Sequence, residues 1–163
     1  MLPKNPIEFS SFPKKMISPS KAIIATLLIF CSSFISHPIQ AQDKDELAIR
    51  KILASQTEQW NKGNIAAFMN GYWKSDSLLF VGKSGANFGY QKTLDNYYKG
   101  YPDTAAMGKL NFDLIQVKRL SPEYFFVLGK WHLKRSIGDV GGAYTLLFRK
   151  IKGEWVIVVD HSS

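Results

Sequence analysis

The sequence ends Asp160-His161-Ser162-Ser163, so an acid, an imidazole and two hydroxyls follow one another. An imidazole is the ordinary general acid or base near neutral pH, and Asp76 or a tyrosine could serve as its partner. Successive side chains of a strand point to opposite faces. Strict alternation therefore groups Trp155, Ile157, Val159 and His161 on one side, with Val156, Val158 and Asp160 on the other. Only one of Asp160 and His161 can face a given cavity. Asp76, just before an apolar run, also suits a backbone cap between two elements.

A second group is aromatic. Trp60, Tyr72, Trp73, Phe80, Tyr97, Tyr98 and Tyr101 are dense for so short a span, and Trp131 stands beyond the small Gly129. Tyrosine and tryptophan make walls that are apolar in body with polar tips, as small-ligand sites are. Core packing is the competing use of the same residues. An indole N–H without a protein acceptor would favour the pocket role for Trp131. No second inward histidine is identifiable, so the three or four ligands of a zinc site are missing, and no metal is expected. The stretch from Gly85 to Gly89 lacks the Gly-Lys-Ser/Thr ending of a phosphate loop, and no cofactor is expected.

These side chains must be positioned by elements whose periodicity is readable. Asp43 and Glu46 resemble a capping box, and Ile49, Ile52, Leu53, Gln56 and Trp60 recur on one helical face, which predicts a helix from about Asp45 to Lys62. Gly63 stops it. Asn64 caps a second, shorter helix carrying Ile65, Phe68, Met69 and Tyr72. Leu78 to Val81 reads as a short strand closed by Gly82-Lys83-Ser84-Gly85, and a third helix runs from about Tyr90 to Gly100. From Lys109 the period changes to two. Runs at about 109–119, 124–136, 143–151 and 155–161 are separated by Ser121-Pro122, Gly138-Asp139 and Lys152-Gly153. Connections this short join antiparallel neighbours. The expectation is an α+β domain: a curved antiparallel sheet of four long strands and one short one, covered by three N-terminal helices. In the second long strand Phe125, Val127, Gly129, Trp131 and Leu133 should face the helices. His132 alternates with lysines and should face outward.

The first forty or so residues differ from the rest. Lys14, Lys15 and Lys21 precede an apolar run from Ala22 to Ile35, followed by Pro38 and Ile39-Gln40-Ala41. That pattern predicts a cleaved signal peptide over 1–41, a domain over 42–163, and export to the periplasm or medium. The run is short for a membrane span, so no membrane association is expected after cleavage. The only cysteine, Cys31, lies within it; after cleavage, disulfides, Cys-ligated zinc and cysteine nucleophiles are excluded. The whole chain carries +8, and removing the leader leaves 17 basic and 12 acidic residues, a net +5. The excess is scattered, so no nucleic acid is expected as a partner.

The order helix, helix, strand, helix and four-stranded meander, with Trp60-Asn61-Lys62-Gly63-Asn64 between the first helices, resembles the nuclear transport factor 2-like superfamily. Asp76, Gly89 and the ending Trp155-Val156-Ile157-Val158-Val159-Asp160-His161-Ser162-Ser163 are similar to its SnoaL-like and kinase-association-domain-like branch. The resemblance implies a cone with a pocket between bent sheet and first helix, and homodimers formed through the outer sheet face, where Tyr124, Phe126 and Leu128 would lie. The terminal His-x-Ser favours His161 as the inward residue. Ketosteroid isomerase has this shape, but the positions of its base, tyrosine and acid fall here at Val81, Gln56 and Leu146, so its proton abstraction is not expected. The resulting expectation is an exported module that holds a small apolar or aromatic ligand, or a protein partner, without catalysis. Its pocket would be lined by Trp60, Tyr72, Trp73, Phe80, Tyr97, Tyr101 and Trp131. The alternative is a SnoaL-like isomerase, lyase or hydrolase with His161 and Asp76 as its catalytic residues.

Overall fold

Asp43 begins the described part of the chain by accepting a hydrogen bond from the Asp45 amide, which starts helix α1, Lys44–Asn61. The structure, a computed structural model, describes residues 43–163; the segment read as a signal peptide lies outside them. Glu46 does not complete a capping box but turns forward to Arg50. Ile49, Leu53, Gln56 and Trp60 recur at the helical period and are all buried against the sheet. Gly63, at φ 79°, takes the left-handed conformation that ends the helix. The Asn64 side chain caps α2, Ile65–Phe68, and this helix tightens at once into a 3₁₀ turn over Met69–Gly71. The first helix is tied to the sheet at both ends. Asn61 exchanges hydrogen bonds with the backbone of Leu110, Trp60 Nε1 donates to the Met107 carbonyl, and Asp45 meets Lys150, Arg119 and Trp155 Nε1.

The remaining elements are β1 (Leu79–Gly82), β2 (Gly85–Phe88), α3 (Tyr90–Gly100), α4 (Thr104–Met107), β3 (Lys109–Ser121), β4 (Tyr124–Lys134), β5 (Val140–Ile151) and β6 (Glu154–Ser162). They form one curved sheet in the order β2-β1-β6-β5-β4-β3. The four long strands make the expected meander. The sheet is nevertheless mixed rather than antiparallel, because β1 lies parallel to β6, with Leu79 beside Val159 and Val81 beside His161. β2, which the sequence reading left as a turn and loop, pairs back on β1 and forms the far edge. The short helix α4, capped by Asp103, was not expected either.

Bulges set the curvature. Ile115 and Leu120 are the extra residues at the two register shifts of β3, and both side chains are exposed. Val158 is the extra residue in β6, where Val159 pairs with Leu147 but Ile157 pairs with Phe148. Each such insertion bends the strand and raises its twist. The inward set Phe125, Val127, Leu133, Tyr144, Leu146, Phe148, Trp155 and Ile157 forms the floor of the core, roofed by Ile49, Leu53, Trp60, Phe68 and Met69. No helix among the described residues is long and apolar enough to cross a membrane.

Candidate functional site

Between the helical roof and the sheet lies a cavity of about 560 Å³. That is within the range of small-molecule sites. Its roof is aromatic. Trp60 meets Phe68, Tyr97 and Tyr101 edge to face, with ring centroids 4.8 to 5.9 Å apart, and Tyr97 also contacts Phe80. Such edge contacts add stabilisation beyond area burial and fix the ring planes. The floor is built by β3 to β6, from Leu110, Phe112, Trp131, Leu133, Tyr144 and Leu146.

One carboxyl stands in this apolar setting. Asp160 is buried, lines the cavity, and accepts hydrogen bonds from Tyr72 OH (2.7 Å) and Ser162 Oγ (2.8 Å). Tyr72 gives its single proton to Asp160, so the Tyr97 hydroxyl, 3.4 Å away, is the donor to Tyr72. Burial disfavours the carboxylate and pushes the Asp160 pKa up to about 6, against the opposing pull of the Tyr72 and Ser162 hydrogen bonds. Burial, with the nearby Asp160 charge, likewise holds both tyrosines well above the ordinary phenol value. The site therefore contains two neutral hydroxyls in series behind a carboxyl that changes charge near neutrality.

Three buried polar atoms have no hydrogen-bond partner among the described residues: Trp131 Nε1, Tyr144 OH and Asn87 Oδ1. All three residues line the cavity. Asn87 sits on β2, where its amide nitrogen donates to Thr93 Oγ1. Trp131 and Tyr144 are on adjacent strands and the same face, with Tyr144 opposite Gly129 and Trp131 opposite Gly142. Glycine at 129 is what lets the Tyr144 ring lie across β4, since a Cβ there would come within 2.5 Å of its hydroxyl, whereas a Cβ on Gly142 would collide first with the backbone carbonyl of Ser163.

Of the residues singled out from sequence, Trp60, Tyr72, Phe80, Tyr97, Tyr101 and Trp131 line this cavity. Trp73 does not. The chain is extended at Tyr72, so neighbouring side chains diverge, and Tyr72 goes inward while Trp73 is half-buried outside the cavity with its amide bonded to the Ile157 carbonyl. His161 and Asp76 are both exposed, and neither lines the cavity. The pair read as catalytic is not brought together. The reason for His161 is the bulge at Val158: one inserted residue exchanges the two faces, so Trp155, Ile157 and then Asp160 point inward, and His161 points out. The inward tyrosine of β5, Tyr144, was not singled out, although its alternation with Leu146 and Phe148 carries the signal. Among the described residues, no three His, Cys, Asp or Glu side chains group as metal ligands would.

Similarity to a solved protein decides the family. An NTF-2 like protein of unknown function from Shewanella oneidensis is 39% identical, with a TM-score of 0.69 over 74% of this chain and 98% of that one. The chain belongs to the NTF2-like superfamily. Two other NTF2-like folds are similar at lower identity. A ketosteroid isomerase-like protein from Erwinia carotovora is 18% identical with a TM-score of 0.57, over 74% of this chain and 96% of its own. An NTF2-like superfamily protein from Salmonella enterica is 17% identical with a TM-score of 0.57, over 72% and 89%. No family model matches the sequence, and no curated protein does. Superfamily membership accounts for the curved sheet and its helical cover; activity depends on the side chains within the cavity.

Proposed function

We propose that this NTF2-like domain is an exported binding protein that holds a small, largely apolar or aromatic molecule in its cavity without turning it over. The observation that carries this reading is the cavity itself: aromatic side chains on roof and floor and one buried carboxyl that offers a polar anchor through Asp160, Tyr72 and Tyr97. Edge-to-face rings that brace one another keep such a space open at little entropic cost on binding. Export rests on the leader pattern in the sequence. Homodimer formation through the outer sheet face is part of the proposal, and the half-buried Tyr124, Phe126 and Leu128 on that face support it.

The test is native mass spectrometry of protein purified from its own host. The expected result is a small-molecule mass increment that is released on denaturation. Protein that arrives without one, and that shows no gain in melting temperature with any small aromatic compound, contradicts the reading.

A second reading is favoured by the pKa of Asp160. A carboxyl near 6 in a low-polarity cavity can exchange protons with a bound molecule, with Tyr72 as its hydrogen-bonded partner. In this form the catalytic group is Asp160 and not His161. Turnover of a ligand identified by mass spectrometry, lost in Asp160→Asn and kept in His161→Ala, would favour catalysis over storage or transport.

A further inference from the structure

Asp160 is a buried carboxyl without a counter-ion. It stands on β6 between Phe80 of β1 and Leu146 of β5, so its neighbours across the inner face are apolar. Tyr72 OH donates to Oδ2 and Ser162 Oγ to Oδ1. An ionised carboxyl offers about four lone-pair positions, which leaves about two for a ligand to fill. Among the described residues, no lysine, arginine or histidine forms an ion pair with it. Asp45, by contrast, meets both Lys150 and Arg119. Lys99 is the one cation lining the cavity, and it is exposed in the last turn of α3. His161 lies on the opposite face of β6. The other titratable side chains of the cavity are the phenols of Tyr72, Tyr97, Tyr101 and Tyr144, which burial holds above their ordinary pKa and therefore neutral. One negative charge thus borders an aromatic cavity with nothing positive to offset it. Buried charges are ordinarily paired, and aromatic rings attract cations.

We propose that the cavity selects small amines in their protonated form, the ammonium group donating to the free lone pairs of Asp160 while an aromatic or apolar body packs among Trp60, Phe80 and Tyr97. The inference rests on the binding reading above and names its ligand class. An ammonium supplies both things the carboxyl lacks, a positive charge and further N–H donors. A neutral ligand would leave the charge uncompensated, and a carboxylate would set a second negative charge beside the first. With a pKa of about 6, Asp160 is mostly ionised near neutrality and ready to receive the cation. An ammonium beside it favours the ionised form, so binding of the amine is linked to loss of the Asp160 proton and weakens as pH falls.

Three probes of similar outline differ in charge: naphthalen-2-ylmethylamine, naphthalen-2-ylmethanol and 2-naphthoate. Affinities are measured by equilibrium dialysis at about pH 7.5 and about pH 5 on wild type and Asp160→Asn, with circular dichroism melts confirming that the variant folds. At the higher pH the amine should bind wild type roughly tenfold tighter than the alcohol. That lead should shrink by roughly tenfold at the lower pH, a unit below the Asp160 midpoint, where most of the carboxyl is protonated. In Asp160→Asn the two should stay within about threefold at both pH values. Equal affinity of amine and alcohol for wild type at the higher pH overturns the inference and leaves the binding reading standing. An amine preference that neither Asp160→Asn nor acidification reduces does the same, as does naphthoate as the tightest ligand. Failure of all three to bind contradicts the binding reading itself. Should the variant fail to fold, the wild-type pH profile decides.

Discussion

Replacing Asp160 by asparagine should change how the stability of this protein depends on pH, and by an amount that follows from the site. Asparagine keeps the shape and both contacts: its oxygen accepts from Tyr72, and its amide donates to Ser162 Oγ. What it removes is ionisation. Burial raises the Asp160 pKa from the ordinary 3.8 to about 6, so over that interval the folded protein holds a proton that the unfolded chain has released. Where the native state binds more protons, stability falls as pH rises. Each pH unit of that interval is worth 1.36 kcal/mol, giving a loss of about 3 kcal/mol between about pH 4 and pH 7, flat above that. The difference in unfolding free energy between Asp160→Asn and wild type, measured by urea denaturation at matched pH, should therefore grow by about 3 kcal/mol across this window in favour of the variant. The carboxylates at the start of α1 act in the opposite sense and elsewhere. Hydrogen bonds from Arg119 hold Asp43 below its usual value, and those from Lys150 and Arg119 do so for Asp45, so their stabilisation is lost only as pH falls below the ordinary carboxylate range. They cancel in the comparison. Parallel profiles for the two proteins would mean that Asp160 titrates normally, and would refute its burial against the apolar cavity.

The other predictions concern packing. Gly129→Ala would drive a Cβ into the Tyr144 ring and the Asp113 carbonyl and should cost about 1–3 kcal/mol by chemical denaturation, since the backbone on one side does not yield. Trp60→Phe removes the donor to the Met107 carbonyl and leaves that acceptor buried, which should cost about 1–3 kcal/mol on the same assay. His161→Ala, on an exposed side chain, should alter stability by less than about 0.5 kcal/mol and leave small-molecule binding unchanged. Deleting Val158 removes the bulge while keeping Ile157 opposite Phe148 and Val159 opposite Leu147, so Asp160 stays inward and the pH-dependent loss of stability described above should persist in that protein, whatever its overall stability.

The helices were legible because their signals are local. Asp43, Asn64 and Gly63 mark their ends chemically, and the spacing of Ile49, Leu53, Gln56 and Trp60 marks the buried face. The inward face of β4 was legible for a similar reason, since Lys130, His132 and Lys134 alternate with Trp131 and Leu133 and mark the outer side. The end of β6 was not. Val156-Ile157-Val158-Val159 is apolar throughout, so a slip of one residue leaves no mark in the pattern, and the phase counted from Trp155 arrives wrong at Asp160 and His161. The parallel pairing of β1 with β6 is decided by contacts between residues about eighty positions apart, which no local spacing encodes. β2 is four residues long and contains glycine and asparagine, so its strand character comes from pairing with β1 and not from propensity.

The titration of the Asp160 carboxyl, followed by its ¹³C chemical shift with and without a small uncharged aromatic compound that raises the melting temperature, tests the central claim most directly. The account predicts a midpoint near 6 in the free protein. It predicts a further rise when the compound fills the cavity, because an apolar body beside the carboxyl removes the remaining solvent. A midpoint in the ordinary aspartate range that does not respond to the compound would contradict it.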